Sequence, residues 1–137
     1  MKVLFVCTGN TCRSPMAEGI YNSISHGAFS RGLYAEGGNA SINAVKAMEK
    51  LGIDISHHNS TQLTKEDLEN ADLVLTMTKG HKEAILSVFP GEDKVFTIGE
   101  YAGGEAVGDP YGGSEEVYDK CANQLYNYIE RIVEKLK

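Results

Sequence analysis

An α/β fold, built as a three-layer sandwich around a central four-stranded parallel sheet, is predicted by three features of the chain. Short apolar, β-branched runs alternate with longer segments whose apolar residues recur at helical spacing. Strands alternating with helices imply right-handed βαβ crossovers and a parallel sheet covered on both faces. No internal repeat, low-complexity tract or interdomain linker interrupts the pattern, so residues 1–137 read as a single domain able to bury one substantial core.

The elements follow in order. The run Val3-Leu4-Phe5-Val6 is the first strand, and Pro15 takes a first-turn position in a helix expected to start near Met16 and run through about His26. A short strand is expected over 31–36. Ser41 then caps a helix with Ala44, Val45, Met48 and Leu51 on one face and Gly52 as its stop. Thr64 with Asp67 three residues on gives a capping-box start to a short helix. Residues 72–77 read as a strand, 81–89 as a helix and 94–98 as the last strand. From 99 to 113 the chain carries six glycines and one proline without steady periodicity, which predicts a long functional loop. Ser114 caps a final helix whose stripe is Val117, Cys121, Leu125, Tyr128, Ile132 and Leu136.

The chemistry concentrates in Cys7-Thr8-Gly9-Asn10-Thr11-Cys12-Arg13-Ser14-Pro15. A buried strand that breaks into a Gly- and Asn-containing loop before a helix N-terminus aims backbone N–H groups and a positive helix end at one point. That is an anion site. Cys7 adds a nucleophile below the anion, favoured as thiolate by those donors, and Arg13 adds a planar bidentate clamp. Asn10 suits a left-handed backbone position, and Ser14 can donate to the sulfur.

Composition narrows the classes. A net charge of −6 argues against general nucleic-acid binding and against attachment to an anionic membrane, so any phosphate affinity is local. No apolar stretch reaches transmembrane length and no signal sequence is evident, which makes the cytoplasm the expected location. Three cysteines, Cys7, Cys12 and Cys121, suit neither a disulfide framework nor a zinc site. Cys121 reads as core packing. Cys12 reads either as a packed loop residue or, five positions from Cys7 on a loop that curls round an anion, as the partner of a reversible disulfide under oxidation.

In the 7–15 loop, in Met16-Ala17-Glu18, in Asp109-Pro110-Tyr111 and in the segments Gly52-Ile53-Asp54-Ile55-Ser56, Gln62-Leu63-Thr64 and Ala71-Asp72-Leu73-Val74-Leu75, the chain resembles the low-molecular-weight protein-tyrosine-phosphatase family. The resemblance runs over nearly the whole chain. It implies a fold of that type and a phosphomonoesterase working through a phosphocysteine, with Cys7, Arg13 and Asp109 catalytic. Thr8, Gly9, Asn10, Thr11, Cys12, Ser14 and Tyr111 would then surround the phosphate and substrate. An aspartate before proline is by itself a turn residue; the resemblance makes Asp109 the acid, a role worth about 10²–10⁴-fold in rate. It also implies that His58, beside His57, braces the loop, while His26 and His81 receive no role. Neither a metal nor a cofactor is called for, and the expected partner is a phosphorylated protein or peptide. Oligomeric state is left open.

Departures from the family pattern bear on substrate. Ala35-Glu36-Gly37 replaces a serine-containing segment, which predicts that Asn10 lacks one hydroxyl partner. Asn59 and Thr61 stand where many relatives carry arginines. Thr11 is polar where tyrosine-directed members are apolar, Gly112 replaces a second aromatic, and Gly37-Gly38-Asn39 offers no ring. In these positions the chain is closer to the protein-arginine-phosphatase branch, because a polar site discriminates against substrates that cannot pair with it. The alternatives are a protein-tyrosine phosphatase of the same type, an arsenate reductase-like enzyme, or a phosphate-binding module without turnover. The thioredoxin-linked reductases need two further cysteines around 70–90, where this chain has none.

Overall fold

The computed structural model describes residues 1–137. β1 (Val3–Cys7) leads through the loop into α1 (Arg13–Ile24), followed by β2 (Ala28–Gly32), α2 (Ile42–Lys50), α3 (Lys65–Asn70) and β3 (Leu73–Thr76). After these come α4 (Lys79–Val88), β4 (Val95–Thr97), α5 (Ile98–Ala102) and α6 (Glu115–Leu136). All strand pairs are parallel, in the order β2-β1-β3-β4.

β1 is central because it has no polar face to give to solvent: Val3, Leu4, Phe5 and Val6 are all fully buried. Val3 and Phe5 join Leu73 and Leu75 in the larger core, against Met16 and Ile20 of α1, Met48 of α2 and Leu125, Ile129 and Ile132 of α6. Leu4 and Val6 point the other way, with Val74 and Val95, onto Leu68 of α3 and Ile85 of α4. Three layers result. Each of the large side chains so buried stabilises the fold by about 1.5–3 kcal/mol before ordering entropy is counted.

The sheet order turns in opposite directions on the two sides of β1, so β2 and β3 flank it and a crevice opens beyond the carboxyl ends of β1 and β3. The cysteine loop leaves β1 there. Helix α4 leaves β3 at the same edge, and its first turn faces the loop.

Several boundaries differ from expectation. β2 lies at Ala28–Gly32 rather than 31–36, because Ala28 to Gly32 pair in register with Val3 to Cys7. Beyond Gly32 the chain leaves the sheet to bond the loop. α1 begins at Arg13, three residues early, with Cys12 as its cap, and ends at Ile24. The expected 99–113 loop opens with α5, hidden by its glycines but started by a capping box of Thr97 and Glu100. Val117 is 43% exposed and stands outside the buried stripe of α6, whereas Cys121, Leu125, Tyr128 and Ile132 are buried. The caps at Ser41, Thr64 and Ser114 form as read.

Gly32 shows how closely sheet and loop meet. A Cβ there would lie 2.8 Å from the Thr8 carbonyl oxygen and 3.0 Å from the Asn10 Cβ and backbone nitrogen. Both obstacles belong to the loop, so Gly32→Ala should destabilise the protein by about 1–3 kcal/mol. A urea-unfolding midpoint unchanged by the substitution would contradict this account of the contact.

Candidate active site

The loop after β1 is bonded on one side only. Its carbonyls are tied outward one after another. Cys7 O accepts from Leu33 N (3.0 Å), Thr8 O from Tyr34 N (2.9 Å), Thr11 O from Ser41 N (2.8 Å) and Cys12 O from Met16 N (3.2 Å). Ser60 Oγ donates to Gly9 O at 2.8 Å. His58 Nε2 donates to Asn10 O at 2.9 Å. The backbone N–H groups of residues 8–12 donate to no protein acceptor. Buried N–H groups are rarely left unpaired, and a concave row of them at a helix N-terminus is a receptor for an anion.

Asn10 holds this curl. It is the one non-glycine residue with positive φ, at 57°. Its Oδ1 accepts from Thr61 N at 2.9 Å, which turns the amide nitrogen toward two hydroxyls. Nδ2 donates to Ser14 Oγ at 2.8 Å and to Ser30 Oγ at 3.0 Å. Ser30 passes its own proton to Glu18 Oε1 at 2.7 Å. The hydroxyl partner expected to be missing is therefore present: Ser30 supplies it from within β2 rather than from the segment after it. Ser14 accepts from Asn10 and keeps its proton for Cys7 Sγ, 3.0 Å away, where it stabilises a charged sulfur.

Arg13 is only 4% exposed. Its Nη1 donates to Val107 O at 3.0 Å, which fixes the guanidinium plane. Nη2 lies 3.7 Å from Asp109 Oδ2, and Nε is buried without a partner. The Nε and Nη2 edge is thus the one available for two oxygens of a bound group. Asp109, half-exposed, accepts from Tyr111 N at 3.0 Å, an arrangement that presents its other oxygen to the opening. Cys7, Thr8, Gly9, Thr11, Cys12, Arg13, Asp109 and Tyr111 together line a cavity of about 230 Å³. A larger groove, about 530 Å³, runs past Pro15, Glu18, His57 and His58 and does not include the sulfur. The smaller cavity is the one that brings the Cys7 sulfur, the Arg13 guanidinium and the Asp109 carboxylate together.

His58, not His57, contacts the loop. His81, which had no role by sequence, is buried with Nε2 2.9 Å from Thr8 Oγ1. No motif marks it, because its partner is far away in the chain and the two meet only through the β1–β3 pairing. Cys12 Sγ donates to Ser41 Oγ at 3.5 Å and lies 3.4 Å from the Tyr118 hydroxyl. Burial, reinforced by that contact, pushes Tyr118 up to about 12. Cys121 packs in α6, where burial pushes its thiol up to about 12 and leaves it a poor nucleophile. All three cysteines are free.

A cysteine set under an amide cradle, with a fixed arginine edge and a carboxylate at the mouth, defines a cysteine-dependent phosphatase. Residues 2–137 match the family described as low molecular weight phosphotyrosine protein phosphatase, and the chain belongs to that family. It is 42% identical to a protein-arginine-phosphatase of Bacillus subtilis, over all of this chain and 97% of the relative. Among solved structures it superimposes with a TM-score of 0.95 on a YwlE arginine phosphatase, a C7S mutant with a phosphorylated active site serine. Identity there is 41%, covering 99% of this chain and 95% of the other. A low molecular weight protein tyrosine phosphatase from T. tengcongensis gives a TM-score of 0.93 at 50% identity, covering 98% and 99% of the two chains. No helix is long and apolar enough to cross a membrane.

His81 makes stability depend on pH. Burial first, and then Arg13, push it down to about 4 from an ordinary 6.5, with Asp109 opposing. Between those values the unfolded chain binds a proton that the folded chain refuses, so this contribution is full above about pH 6.5 and is lost as pH falls toward 4. The urea midpoint should therefore drop less from pH 7 to 4.5 in His81→Gln than in the parent. Equal drops would show that another group sets the acid limb.

Proposed function

We propose that this phosphatase acts on phosphoarginine in proteins, with residues 1–137 working as one catalytic domain in the cytoplasm. In this mechanism Cys7 Sγ attacks phosphorus while the freed backbone N–H groups and the Nε and Nη2 edge of Arg13 hold the phosphoryl oxygens. Asp109 gives its proton to the departing guanidino nitrogen as the P–N bond breaks. The resulting carboxylate then takes a proton from water, whose oxygen attacks the phosphocysteine, and Ser14 donates to the sulfur as the S–P bond breaks. Phosphate and the restored enzyme are the products.

The observation that carries the substrate assignment is the wall of the cavity. Tyr111 is its single aromatic side chain, Thr11 is polar, and Asp109 reaches the mouth. Gly37, Gly38 and Gly112 all have positive φ and present no side chain to a ring. A guanidinium can pair with Thr11 and Asp109, whereas a phenyl ring has little to stack on. The 42% identity to a protein-arginine-phosphatase supports this reading, and the 50% identity to a tyrosine phosphatase supports the second one. In the same proposal a peroxide oxidises Cys7 to its sulfenic acid, and the Cys12 thiol, which shares the cavity, attacks that sulfur and releases water to leave a disulfide that a thiol can reduce.

Two measurements test this reading. Cys7→Ser should abolish turnover while leaving phosphate binding largely intact, and substantial residual hydrolysis would remove the covalent step. On matched peptides, the parent should hydrolyse phosphoarginine faster than phosphotyrosine, and Thr11→Ile should move the ratio toward phosphotyrosine by about tenfold or more, the scale set by an unpaired polar group. A parent preference for phosphotyrosine would retract the substrate and keep the mechanism.

A further inference from the structure

Helix α4 approaches the phosphate loop from the far side of the crevice with a side chain that the mechanism does not use. Thr78 caps the helix by accepting from His81 N at 3.3 Å, so the first turn is fixed and the ring is turned inward. His81 is 8% exposed. Its Nε2 lies 2.9 Å from Thr8 Oγ1, and its Nδ1 is buried with no partner. A neutral imidazole has one N–H and one lone pair. A proton on Nδ1 would be a buried donor with nothing to receive it, whereas a proton on Nε2 leaves only an idle lone pair at Nδ1. The second tautomer is the cheaper one. Nε2–H therefore donates to Thr8 Oγ1.

That assignment determines what Thr8 can do. Having accepted from His81, its hydroxyl retains a proton to give, and Thr8 lines the cavity beside Cys7 and Arg13. Thr8 is also the first residue of the cradle, its N–H unpaired and its carbonyl bound to Tyr34 N at 2.9 Å. We propose that His81 is a positioning residue of the phosphate site, which holds Thr8 in place and leaves its hydroxyl as a donor to the bound phosphoryl group. The loop is then braced from opposite sides by two histidines, His58 at Asn10 O and His81 at Thr8 Oγ1. The inference rests on the reading of this cavity as the phosphate site and is independent of which phosphorylated side chain is preferred.

The test uses inorganic phosphate as the probe, its affinity measured by calorimetry on the full chain in a Cys7→Ser background. His81→Phe keeps the volume and removes the donor, and Thr8→Val removes the acceptor with little change of shape. Each should weaken phosphate binding by about five- to tenfold, the scale of one net hydrogen bond. The double variant should be no weaker than either single one, because both remove the same interaction. His81→Gln, whose amide reaches the same point, should recover most of the loss. Losses that multiply in the double variant, or a Gln variant as weak as Phe, would assign His81 to packing alone. Thr8→Val, close to the surface and isosteric, keeps the test valid should His81→Phe unfold, and full phosphate affinity in Thr8→Val would overturn the proposal. Phosphate binding in the background that ignores every His81 and Thr8 change would sink this inference only. A background and a parent chain that both fail to bind phosphate would sink the cavity reading as well.

Discussion

The structure depends on a one-sided distribution of hydrogen bonds around the loop after β1. Each carbonyl from Cys7 to Cys12 is bound outward, to β2's extension, to Ser41, to the 58–60 segment or to α1 itself, and the N–H groups of residues 8–12 are left facing inward. Peptide units are planar, so fixing the oxygens fixes the opposing N–H vectors with them. Much of the surrounding fold can be understood as the source of those donors. β2 must end in glycine because its backbone approaches Thr8 and Asn10 too closely for a Cβ. The 58–60 segment must pass beside the loop to offer both an imidazole and a hydroxyl. None of these donors touches a substrate, yet each orients a group that would.

Asn10 converts that scaffold into chemistry at the sulfur. Its amide divides its donors between Ser14 and Ser30, and the chain of protons ends at the Glu18 carboxylate. Because Asn10 occupies one lone pair of Ser14, the Ser14 hydroxyl has one useful place to send its proton, namely Cys7 Sγ. A hydrogen bond to a charged acceptor is roughly twice as strong as one between neutral groups, so the contact gains strength whenever charge gathers on that sulfur. The effect is local. It coexists with a chain whose overall charge is −6.

How much of this was legible in the sequence follows from the range of each interaction. The 7–15 loop, the caps at Ser41, Thr64 and Ser114 and the alternation of strands and helices are set by neighbours a few residues apart, and they stand where the sequence put them. β2 departs from the expected range because its register is decided by β1 rather than by its own weak pattern. The role of Ser30 is silent for the same reason: a serine inside a strand carries no signal until the strand is laid beside Asn10. His81 is the extreme case, separated from Thr8 by 73 residues and joined to it only by the sheet order. α5 is obscured by the glycine-rich composition of 99–113, although the local pair Thr97 and Glu100 announces it.

Val107 occupies a position whose importance is disproportionate to its side chain. Its N–H donates to Met77 O at 3.0 Å and its carbonyl accepts from Arg13 Nη1 at 3.0 Å, so one peptide-scale bridge joins the end of β3 to the arginine. Asp109 follows two residues later. The spacing between clamp and carboxylate is thereby measured from the sheet and not from the glycine-rich chain that precedes it. Gly103 and Gly104 are pinned to Gly99 O and Glu105 to the Tyr128 hydroxyl, and a single residue added between Val107 and Asp109 would shift the carboxylate by a full backbone step. The segment is thus intolerant of length change beyond that bridge.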